Sequence, residues 1–484
     1  MSDRVIVVGG GVGGLAAGIT LARAGAKVTV CEASSRFGGL ASALEAGGTR
    51  FDGGPYILLD PAGLAWAFEQ LGLDPTALGL RRVEDVYVVE RDGAPPVHVY
   101  SDLERTCAGL DAHWPGQGER YRTFLRKTAA IHRALAPLQV SGSPGPMALV
   151  RAGVLRHAPF LLESLGRLLR SAGFVPAVAD AIGIWTHVAG QNMHSAPSPL
   201  GLVPAMIHGP GCFVPARGLA AIPELVLGRA AALGVELRAS ARVRRIVSEA
   251  ARVTGVELED GTVLSGRAVI SDASGVATLL ELADAPVRVK TRVAALPLQS
   301  PGVAAYVLAE QEATGPYLRF RLHPEQLDAP CRLIVRPSAL PGSQPSPAAR
   351  AGGARGDGRH LVPTRIVAPL AHEVAERLGE AGQMALLDSI LAEPWVRDAV
   401  GPFTEVARLV PASWGRRHVL HRDSMNPVMT AKFMRQGRLP HRVESPDGLF
   451  LVGSSTHPGQ WVSFCLASGV IGARAALERL ARIG

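Results

Sequence analysis

The sequence predicts an α/β protein with two interleaved domains, one built on a parallel dinucleotide-binding sheet and the other of α+β structure. Three observations predict this. A glycine-rich turn joins a β-branched strand to a helix near the N-terminus, short alternating strands occur in the middle of the chain, and a buried strand precedes a long apolar helix near the C-terminus. At 484 residues the chain is also too long for one compact core.

The first element is a strand, turn and helix. Arg4 to Val8 (RVIVV) is a β-branched run typical of a buried parallel strand. Three glycines then form the pattern GxGxxG: Gly9 permits a tight turn, Gly11 lets the backbone approach a diphosphate, and Gly14 lets the helix pack closely on the strand. Leu15 to Ala24 follows with helical spacing, so its first amide groups are expected to point at phosphate.

The second strand completes the unit. Lys27 to Cys31 (KVTVC) is the predicted strand, and Glu32 stands at its end. Glu32 follows Gly14 at close to the separation of about 20 residues at which an acid accepts the ribose hydroxyls of a bound nucleotide. Strand, glycines, helix, strand and acid together predict a Rossmann-like dinucleotide-binding unit.

The residues that follow distinguish between dinucleotides. Arg36, Gly38 and Gly39 come soon after the acid, and Phe51 to Pro55 (FDGGP) come next. This arrangement resembles the FAD-dependent amine oxidase and phytoene desaturase superfamily, in which the arginine and the paired glycines run along the flavin diphosphate and ribityl chain. The resemblance implies an FAD cofactor and a glutathione-reductase-like FAD-binding domain.

Alternating strands are predicted in the middle of the chain. They are Val235 to Leu237, Ala241 to Ser248, Val253 to Leu258 and Val263 to Ile270, the last three forming a small meander. The resemblance implies that Val243 offers backbone groups to the adenine and that the strand ending at Ile270 returns to the FAD-binding domain. Asp272 then stands where the family usually has an asparagine or a glycine-rich turn.

The C-terminal segment resembles the carotenoid and phytoene desaturase family more closely. Leu449 to Val452 is a predicted buried strand, a turn ending in Thr456 to Gly459 (THPG) follows, and Val462 to Leu480 is an apolar helix. This is similar to the family's closing motif, in which the helix is aimed at the flavin. Gly211 to Leu219 is similar to the segment that enters the meander. The bulky residues Gln460 to Phe464 replace the glycine and proline common in the family, which predicts an altered substrate pocket.

The resemblance therefore implies one FAD site assembled from all these segments. The residues expected to bind the cofactor are Gly9, Gly11, Val12, Gly13, Gly14, Glu32, Ala33, Arg36, Gly38, Gly39, Leu40, Gly53, Gly54, Pro55, Val243, Asp272, Gly453, Ser454, Gly459, Trp461 and Val462.

The two domains are expected to alternate along the chain. Residues 1–65, 211–289 and 431–484 are assigned to the FAD-binding domain. Residues 66–210 and 290–430 are assigned to the substrate domain.

Two helical segments are predicted in the first part of the substrate domain. Glu119 to Leu138 has one apolar face. Met147 to Phe174 has the leucine and arginine pattern of a basic amphipathic surface helix, interrupted near Pro159. Two interpretations of this second segment stay open: it docks on a membrane and admits a lipid-soluble substrate, or it is an ordinary helix packed on one side.

Catalytic residues are not defined by any motif. His187, His457 and Trp461 are candidates only because the resemblance places their segments near the flavin or the substrate. No HExxH or other metal-ligand spacing occurs, so no metal is expected. A desaturase needs few ionisable groups, because the flavin accepts the hydride and a weak base or water takes the proton.

Composition excludes several classes of protein. The net charge is +8, but the basic residues are spread along the chain and no nucleic-acid module is present. The 5 cysteines are scattered, which argues against a disulfide framework. No apolar run is long enough to span a bilayer, and no secretory signal is recognisable. We expect a cytoplasmic protein able to contact a membrane peripherally.

The leading hypothesis is an FAD-dependent desaturase or dehydrogenase that transfers a hydride from an apolar, carotenoid-like or polyene substrate to flavin N5. One alternative is an FAD-dependent oxidase of a natural-product tailoring pathway, or an amine oxidase, which the bulky residues after THPG favour. The other is a flavin-binding isomerase without net redox change.

Overall fold

The computed structural model describes residues 4–142, 146–151, 153–311, 314–337 and 361–483. Its strands are β1 Arg4–Val8, β2 Lys27–Cys31, β3 Ala43–Ala46, β4 Thr49–Asp52, β5 Leu80–Arg82, β6 Asp85–Arg91, β7 Ala94–Tyr100, β8 Phe213–Pro215, β9 Glu236–Arg238, β10 Val243–Glu249, β11 Arg252–Leu258, β12 Val263–Ser265, β13 Ala268–Ser271, β14 Val303–Ala309, β15 Leu318–Leu322, β16 Cys331–Val335, β17 Val362–Ala368, β18 Phe403–Leu409 and β19 Leu449–Leu451.

The α-helices are α1 Val12–Arg23, α2 Pro61–Leu71, α3 Leu103–His113, α4 Gln117–Gln139, α5 Pro146–Arg151, α6 Ala158–Leu162, α7 Leu165–Ser171, α8 Pro176–Val188, α9 Val203–His208, α10 Ala221–Ala232, α11 Gly275–Ala277, α12 Val287–Ala294, α13 His372–Ala392, α14 Pro394–Val400, α15 Pro411–His418, α16 Ala431–Gln436 and α17 Val462–Ile483. Short 3₁₀ turns are Gly39–Ala41, Pro75–Leu78, Val154–His157, Ser198–Leu202 and His421–Asp423, and a π turn is Thr278–Leu282.

A five-stranded parallel sheet forms the first layer, in the order β19-β13-β1-β2-β9. Its central strand β1 is fully buried apart from its first residue, and its side chains pack between α1 and α17 on one side and the meander β10-β11-β12 on the other. Because the strands are parallel, the turns after β1, β13 and β19 meet at one edge of the sheet. The α/β fold with a parallel sheet, predicted from the sequence, is confirmed.

A seven-stranded sheet forms the second layer, in the order β18-β14-β17-β16-β15-β6-β7. All of its pairs are antiparallel except β6 with β15. Apolar residues of α4, α7 and α8 pack on one face, and apolar residues of α13 and α14 pack on the other. The strands of each sheet come from the segments predicted for that domain, and we keep the five-segment domain division as a proposal.

Two predictions about secondary structure are wrong. The predicted strand Val263 to Ile270 is two strands in different sheets, because the Gly266 amide donates to Thr254 in the meander whereas the Arg267 amide donates to Arg4 in the parallel sheet. Met147 to Phe174 is not one helix interrupted near Pro159 but the separate pieces α5, Val154–His157, α6 and α7. Pro159 lies in the first turn of α6, where proline is tolerated.

Other predicted elements are confirmed with small shifts. The bounds of β1 and β2 are as predicted, α1 begins at Val12 rather than Leu15, and the helix predicted from Glu119 to Leu138 is α4. The C-terminal helix begins at Val462 as predicted. Of the helices that the structure describes, none has both the length and the apolar character needed to cross a bilayer.

Candidate functional site

The main cavity lies between the carboxyl edge of the parallel sheet and the seven-stranded sheet. Its volume is about 850 Å³, near the upper end of the usual range for ligand pockets. Backbone of the glycine-rich turns forms one part of its wall, and side chains of the seven-stranded sheet and of α8 and α9 form another part. The cavity is therefore shared by the predicted cofactor and substrate segments.

The first wall is a cradle of glycines at the start of α1. A Cβ atom on Gly14 would overlap the carbonyl oxygen of Gly9, and one on Gly13 would lie 3.0 Å from Cα of Gly453. Gly9 has a φ of 94°, a backbone conformation that favours glycine. Gly11 is the N-cap of α1 and offers no side chain to the first amides of the helix. Because the cradle carries almost no side chains, an anionic group can approach its backbone closely, which fits the diphosphate of FAD.

Glu32 stands at the end of β2 on the same wall. Its Oε2 accepts a hydrogen bond from the Gly10 amide at 2.7 Å, and its Oε1 accepts one from the Ser34 amide at 2.8 Å. These bonds fix the carboxylate and leave lone pairs that can accept from ribose hydroxyls. Ala33 and Val243 line the cavity beside it, where the resemblance places the adenosine.

Gly53, Gly54 and Pro55, which the resemblance places beside the flavin, belong with Tyr56 to a segment that is held by side chains at the seven-stranded sheet. The Tyr306 hydroxyl donates to the Gly53 carbonyl at 2.9 Å, and the Tyr317 hydroxyl donates to the Tyr56 carbonyl at 3.1 Å. Burial raises the pKa of Tyr306 to about 12, so the phenol stays protonated and remains a donor. We call Tyr306, Tyr317 and Arg365 the carbonyl clamp.

Arg365 is the third member of the carbonyl clamp and is 6% exposed. Its guanidinium donates to the carbonyl of Asp52 at 2.7 Å and to that of Gly54 at 2.9 Å, and it lies 4.5 Å from the ring centroid of Tyr56. Sequence reasoning missed all three clamp residues. The available signal was a polar residue in the middle of an apolar strand, as in VAAYVLA for Tyr306 and VPTRIVA for Arg365.

The THPG segment supports the cavity from behind. Thr456 is buried, donates to the Gly453 carbonyl at 3.0 Å and shares a 2.6 Å hydrogen bond with Ser468 of α17. Ser468 also accepts from the Gly453 amide at 2.9 Å. The hydroxyl pair therefore fixes the turn after β19 against α17. Neither Thr456 nor Ser468 is among the described residues that line the cavity.

The three candidate catalytic residues are separated by the structure. Trp461 lines the cavity and stacks on Phe464, with ring centroids 4.9 Å apart. His457 shares a 2.8 Å hydrogen bond with the Leu138 carbonyl, and neither His457 nor His187 belongs to the described cavity wall. Burial lowers the pKa of both histidines to about 4, so both are neutral near pH 7.

Most of the predicted cofactor residues line the cavity. Those on the wall are Gly9, Gly11, Val12, Gly13, Glu32, Ala33, Gly38, Gly39, Leu40, Gly53, Gly54, Pro55, Val243, Asp272, Ser454, Trp461 and Val462. Gly14 and Gly453 lie directly behind the wall, against Asp272. Arg36 is exposed, and Gly459 packs against Arg438 and Phe464. The roles of these residues toward the cofactor stay predictions.

The remaining wall combines aromatic and aliphatic side chains with an amide cluster and with a charged region that includes Glu281, Arg416, Arg422 and Asp423. Its apolar side chains include Ile57, Trp185, Val188, Leu200, Val203 and Trp414. In the cluster, the Asn426 amide donates to the side-chain oxygens of Gln299 and Gln460. Gln460 and Trp461 thus place the sequence departure after THPG on the cavity wall. Within the described ranges, no group of three or more His, Cys, Asp and Glu side chains is arranged to hold a metal.

Two related sequences are named phytoene desaturases. The chain is 26% identical to a phytoene desaturase of Fusarium fujikuroi, over 99% of this chain and 90% of that protein. It is 32% identical to a zeta-carotene-forming phytoene desaturase of Myxococcus xanthus, over 56% of this chain and 53% of that protein.

Solved structures share the fold. The chain resembles a cyclohexylamine oxidase from Brevibacterium oxydans, with a TM-score of 0.59 and 17% identity over the whole of both chains. It also resembles a fatty acid isomerase from P. acnes, with a TM-score of 0.62 and 14% identity over 98% of each chain. At these identities the likeness shows the fold alone.

The family model described as flavin containing amine oxidoreductase matches residues 12–304, more than half of the chain. Its match confirms the predicted FAD cofactor and the prediction of an FAD-dependent, desaturase-like oxidoreductase. The glycine cradle, the fixed glutamate and the cavity between two sheets fit that cofactor. The chain belongs to the flavin containing amine oxidoreductase family.

Proposed function

We propose that this protein is a desaturase that removes hydrogen from an apolar polyene of the carotenoid class. The observation that carries the proposal is the aromatic and aliphatic wall opposite the glycine cradle. Trp185 and Val188 of α8, Leu200 of the turn Ser198–Leu202 and Val203 of α9 form this wall without a charged side chain among them. Relatives named phytoene desaturase support the same substrate class.

The residues of this chain would divide the work between holding the cofactor and excluding water. Bound FAD supplies a hydride acceptor. The glycine cradle would hold the diphosphate, Glu32 would bind the ribose, and the carbonyl clamp would fix the segment Gly53 to Tyr56 beside the flavin. The apolar wall would orient the chain of the substrate and keep water away from the reacting carbon.

A second candidate is an oxidase of a more polar substrate, because the amide cluster of Gln299, Asn426 and Gln460 lies on the same wall. Buried amides of this kind recognise hydroxyl, amine or carbonyl groups. The two candidates differ in which part of the wall the substrate contacts.

Anaerobic mixing of the FAD-loaded protein with substrates separates them. Phytoene presented in lipid vesicles is expected to bleach the visible flavin absorbance, whereas a primary amine such as putrescine is expected to leave it unchanged. Bleaching by the amine, with none by phytoene or by related polyenes, would reject the desaturase in favour of the oxidase.

We further propose that α5 and α6 form a membrane-facing surface near the cavity. Met147, Val150 and Leu162 are 62%, 51% and 51% exposed, although side chains of this size are usually buried. The Ser198 hydroxyl bonds the Phe160 carbonyl, which ties α6 to the turn whose Leu200 lines the cavity. Basic side chains such as Arg151 and Arg156 are exposed in the same segment, where they can contact anionic lipid headgroups.

Flotation with anionic vesicles tests this surface. The double variant V150E/L162E is expected to lose most of the vesicle-bound fraction. The matched control V287E/L327E changes two apolar residues that are 81% and 86% exposed elsewhere, and it should float like the unaltered protein. Equal flotation of both variants, or no flotation of the unaltered protein, would reject the surface.

A further inference from the structure

Asp272 lies in the centre of the glycine cradle. It follows β13, its amide donates to the Val8 carbonyl at 2.8 Å, and its side chain lines the main cavity. Glycines from two turns and from α1 surround its carboxyl group so closely that an added Cβ on each would meet an atom of Asp272. They are Gly9, Gly11, Gly13, Gly14 and Gly453. A carboxyl group therefore occupies the space that this backbone leaves for an anion.

The partners of that carboxyl group are backbone amides. It accepts hydrogen bonds from the amides of Gly14 and Gly11 at the start of α1. The other titratable groups that act on it are Glu32 at the end of β2 and the Cys465 thiol of α17. Within the described ranges, it forms no ion pair with an arginine, lysine or histidine. Burial above all, together with the negative charge of Glu32, raises the pKa of Asp272 to about 7 against the lowering effect of the two amide hydrogen bonds.

The diphosphate of FAD needs the same region of positive potential. The start of a helix attracts one anion through its free amides, and two anions placed there without a cation repel each other in a site that excludes water. A neutral carboxylic acid removes the repulsion and can itself donate a hydrogen bond to a phosphate oxygen. The resembled family usually has an asparagine or a glycine-rich turn at this position, and an asparagine has the same shape as an aspartate and never carries the charge.

We propose that FAD binding to this protein takes up one proton at Asp272, so that the cofactor binds the form in which this carboxyl group is neutral. The ionised carboxylate occupies the cradle amides and competes with the diphosphate. The proposal concerns cofactor affinity alone, so it stands or fails independently of the substrate.

Titration of the apoprotein with FAD between pH 6 and pH 9, followed by flavin fluorescence, tests it. The dissociation constant is expected to be flat at the acid end and to rise by about tenfold per pH unit above about pH 7. The isosteric variant D272N should show a flat profile and bind FAD more tightly than the unaltered protein at pH 9. The control D180N removes a half-buried carboxyl group paired with Arg91 in the predicted substrate domain, and it should keep the unaltered pH profile.

Calorimetry provides a readout that needs no variant. At pH 8, FAD binding measured in two buffers of different ionisation enthalpy should show uptake of nearly one proton per cofactor, and at pH 6 nearly none. No uptake at pH 8, a flat profile for the unaltered protein, or the same slope in D272N would overturn the proposal.

Discussion

The cavity wall at the parallel sheet and the wall at the seven-stranded sheet are built from different atoms. The first presents backbone of Gly9 and of Gly11 to Gly13, with Glu32 at the end of β2 and Asp272 after β13. The second presents side chains, among them Tyr306 and Arg365 of the carbonyl clamp and the amide cluster of Gln299, Asn426 and Gln460. Backbone recognises what every FAD molecule shares, whereas side chains vary and set the substrate. The comparison implies that substitutions in the first wall should mainly impair FAD binding, whereas substitutions in the second should mainly change stability or flavin reduction.

The largest effect is expected for Gly14→Ala. The new Cβ would overlap the Gly9 carbonyl, which belongs to the backbone and cannot rotate away, so α1 must move from β1. We expect loss of FAD binding and a fall of about 3 kcal/mol in the free energy of unfolding. Gly109→Ala in α3, where an added Cβ meets nothing within 4 Å, should bind FAD normally. Normal FAD affinity in G14A would break the account of the backbone wall.

A smaller effect is expected for the carbonyl clamp. Arg365→Met removes the hydrogen bonds that the guanidinium donates to the carbonyls of Asp52 and Gly54, and both carbonyls lose that donor. The free energy of unfolding, measured by urea titration, should therefore fall by about 2 kcal/mol. FAD affinity should fall less than in G14A, since the cradle is intact.

Tyr306→Phe removes a single hydrogen bond, to the Gly53 carbonyl, and should lower the free energy of unfolding by about 1 kcal/mol in the same urea titration. The control is Tyr100→Phe, whose hydroxyl makes no hydrogen bond to any described residue. Equal stability of Y306F and Y100F would show that the clamp does not hold the segment.

Gln460→Leu sharpens the comparison at the amide cluster of the cavity wall. Asn426 keeps the Pro427 carbonyl and Gln299 as acceptors, so the fold should tolerate the change. With a polyene substrate the rate of flavin reduction should stay within about threefold, because no polar contact to the substrate is lost. A loss of reduction by more than about tenfold would place a polar substrate group at the amide cluster.

The smallest effect on turnover is expected for His457→Gln, because the imidazole bonds the Leu138 carbonyl away from the cavity wall. Its pKa is lowered to about 4 by burial, below the usual value near 6.5 of an unfolded chain. The folded protein thus binds fewer protons between these values, and acid destabilises it. H457Q should therefore lose less unfolding free energy between pH 6.5 and pH 4, with turnover nearly unchanged. A strong loss of turnover would show that His457 takes part in the reaction.

The same contrast explains what the sequence could predict. The unit β1-α1-β2 is local, so glycine spacing and one acid were enough to predict it together with its cofactor. Alternation predicts a single strand over Val263 to Ile270, because it does not reveal which sheet a residue pairs with. In the structure, Gly266 and Arg267 pair with different sheets.

The carbonyl clamp is much less predictable from the sequence. Tyr306, Tyr317 and Arg365 meet the segment Gly53 to Tyr56 across more than 250 positions of the chain, and no local pattern records that contact. The break between α6 and α7 depends on Ser164, which accepts from the Arg167 amide at 3.4 Å and was hidden within a leucine-rich helical pattern. Side chains brought together only by the tertiary fold have no shared sequence signal.

We propose that one cavity holds both FAD, at the glycine cradle, and an apolar substrate, at the wall formed by Trp185, Val188, Leu200 and Val203. A single anaerobic turnover of the FAD-loaded protein with phytoene in vesicles, followed by mass spectrometry of the lipid extract, tests it directly. The account predicts a product lighter by two hydrogen atoms, in an amount equal to the flavin that has been reduced. A product of unchanged mass, or reduced flavin with all of the phytoene recovered intact, would contradict it.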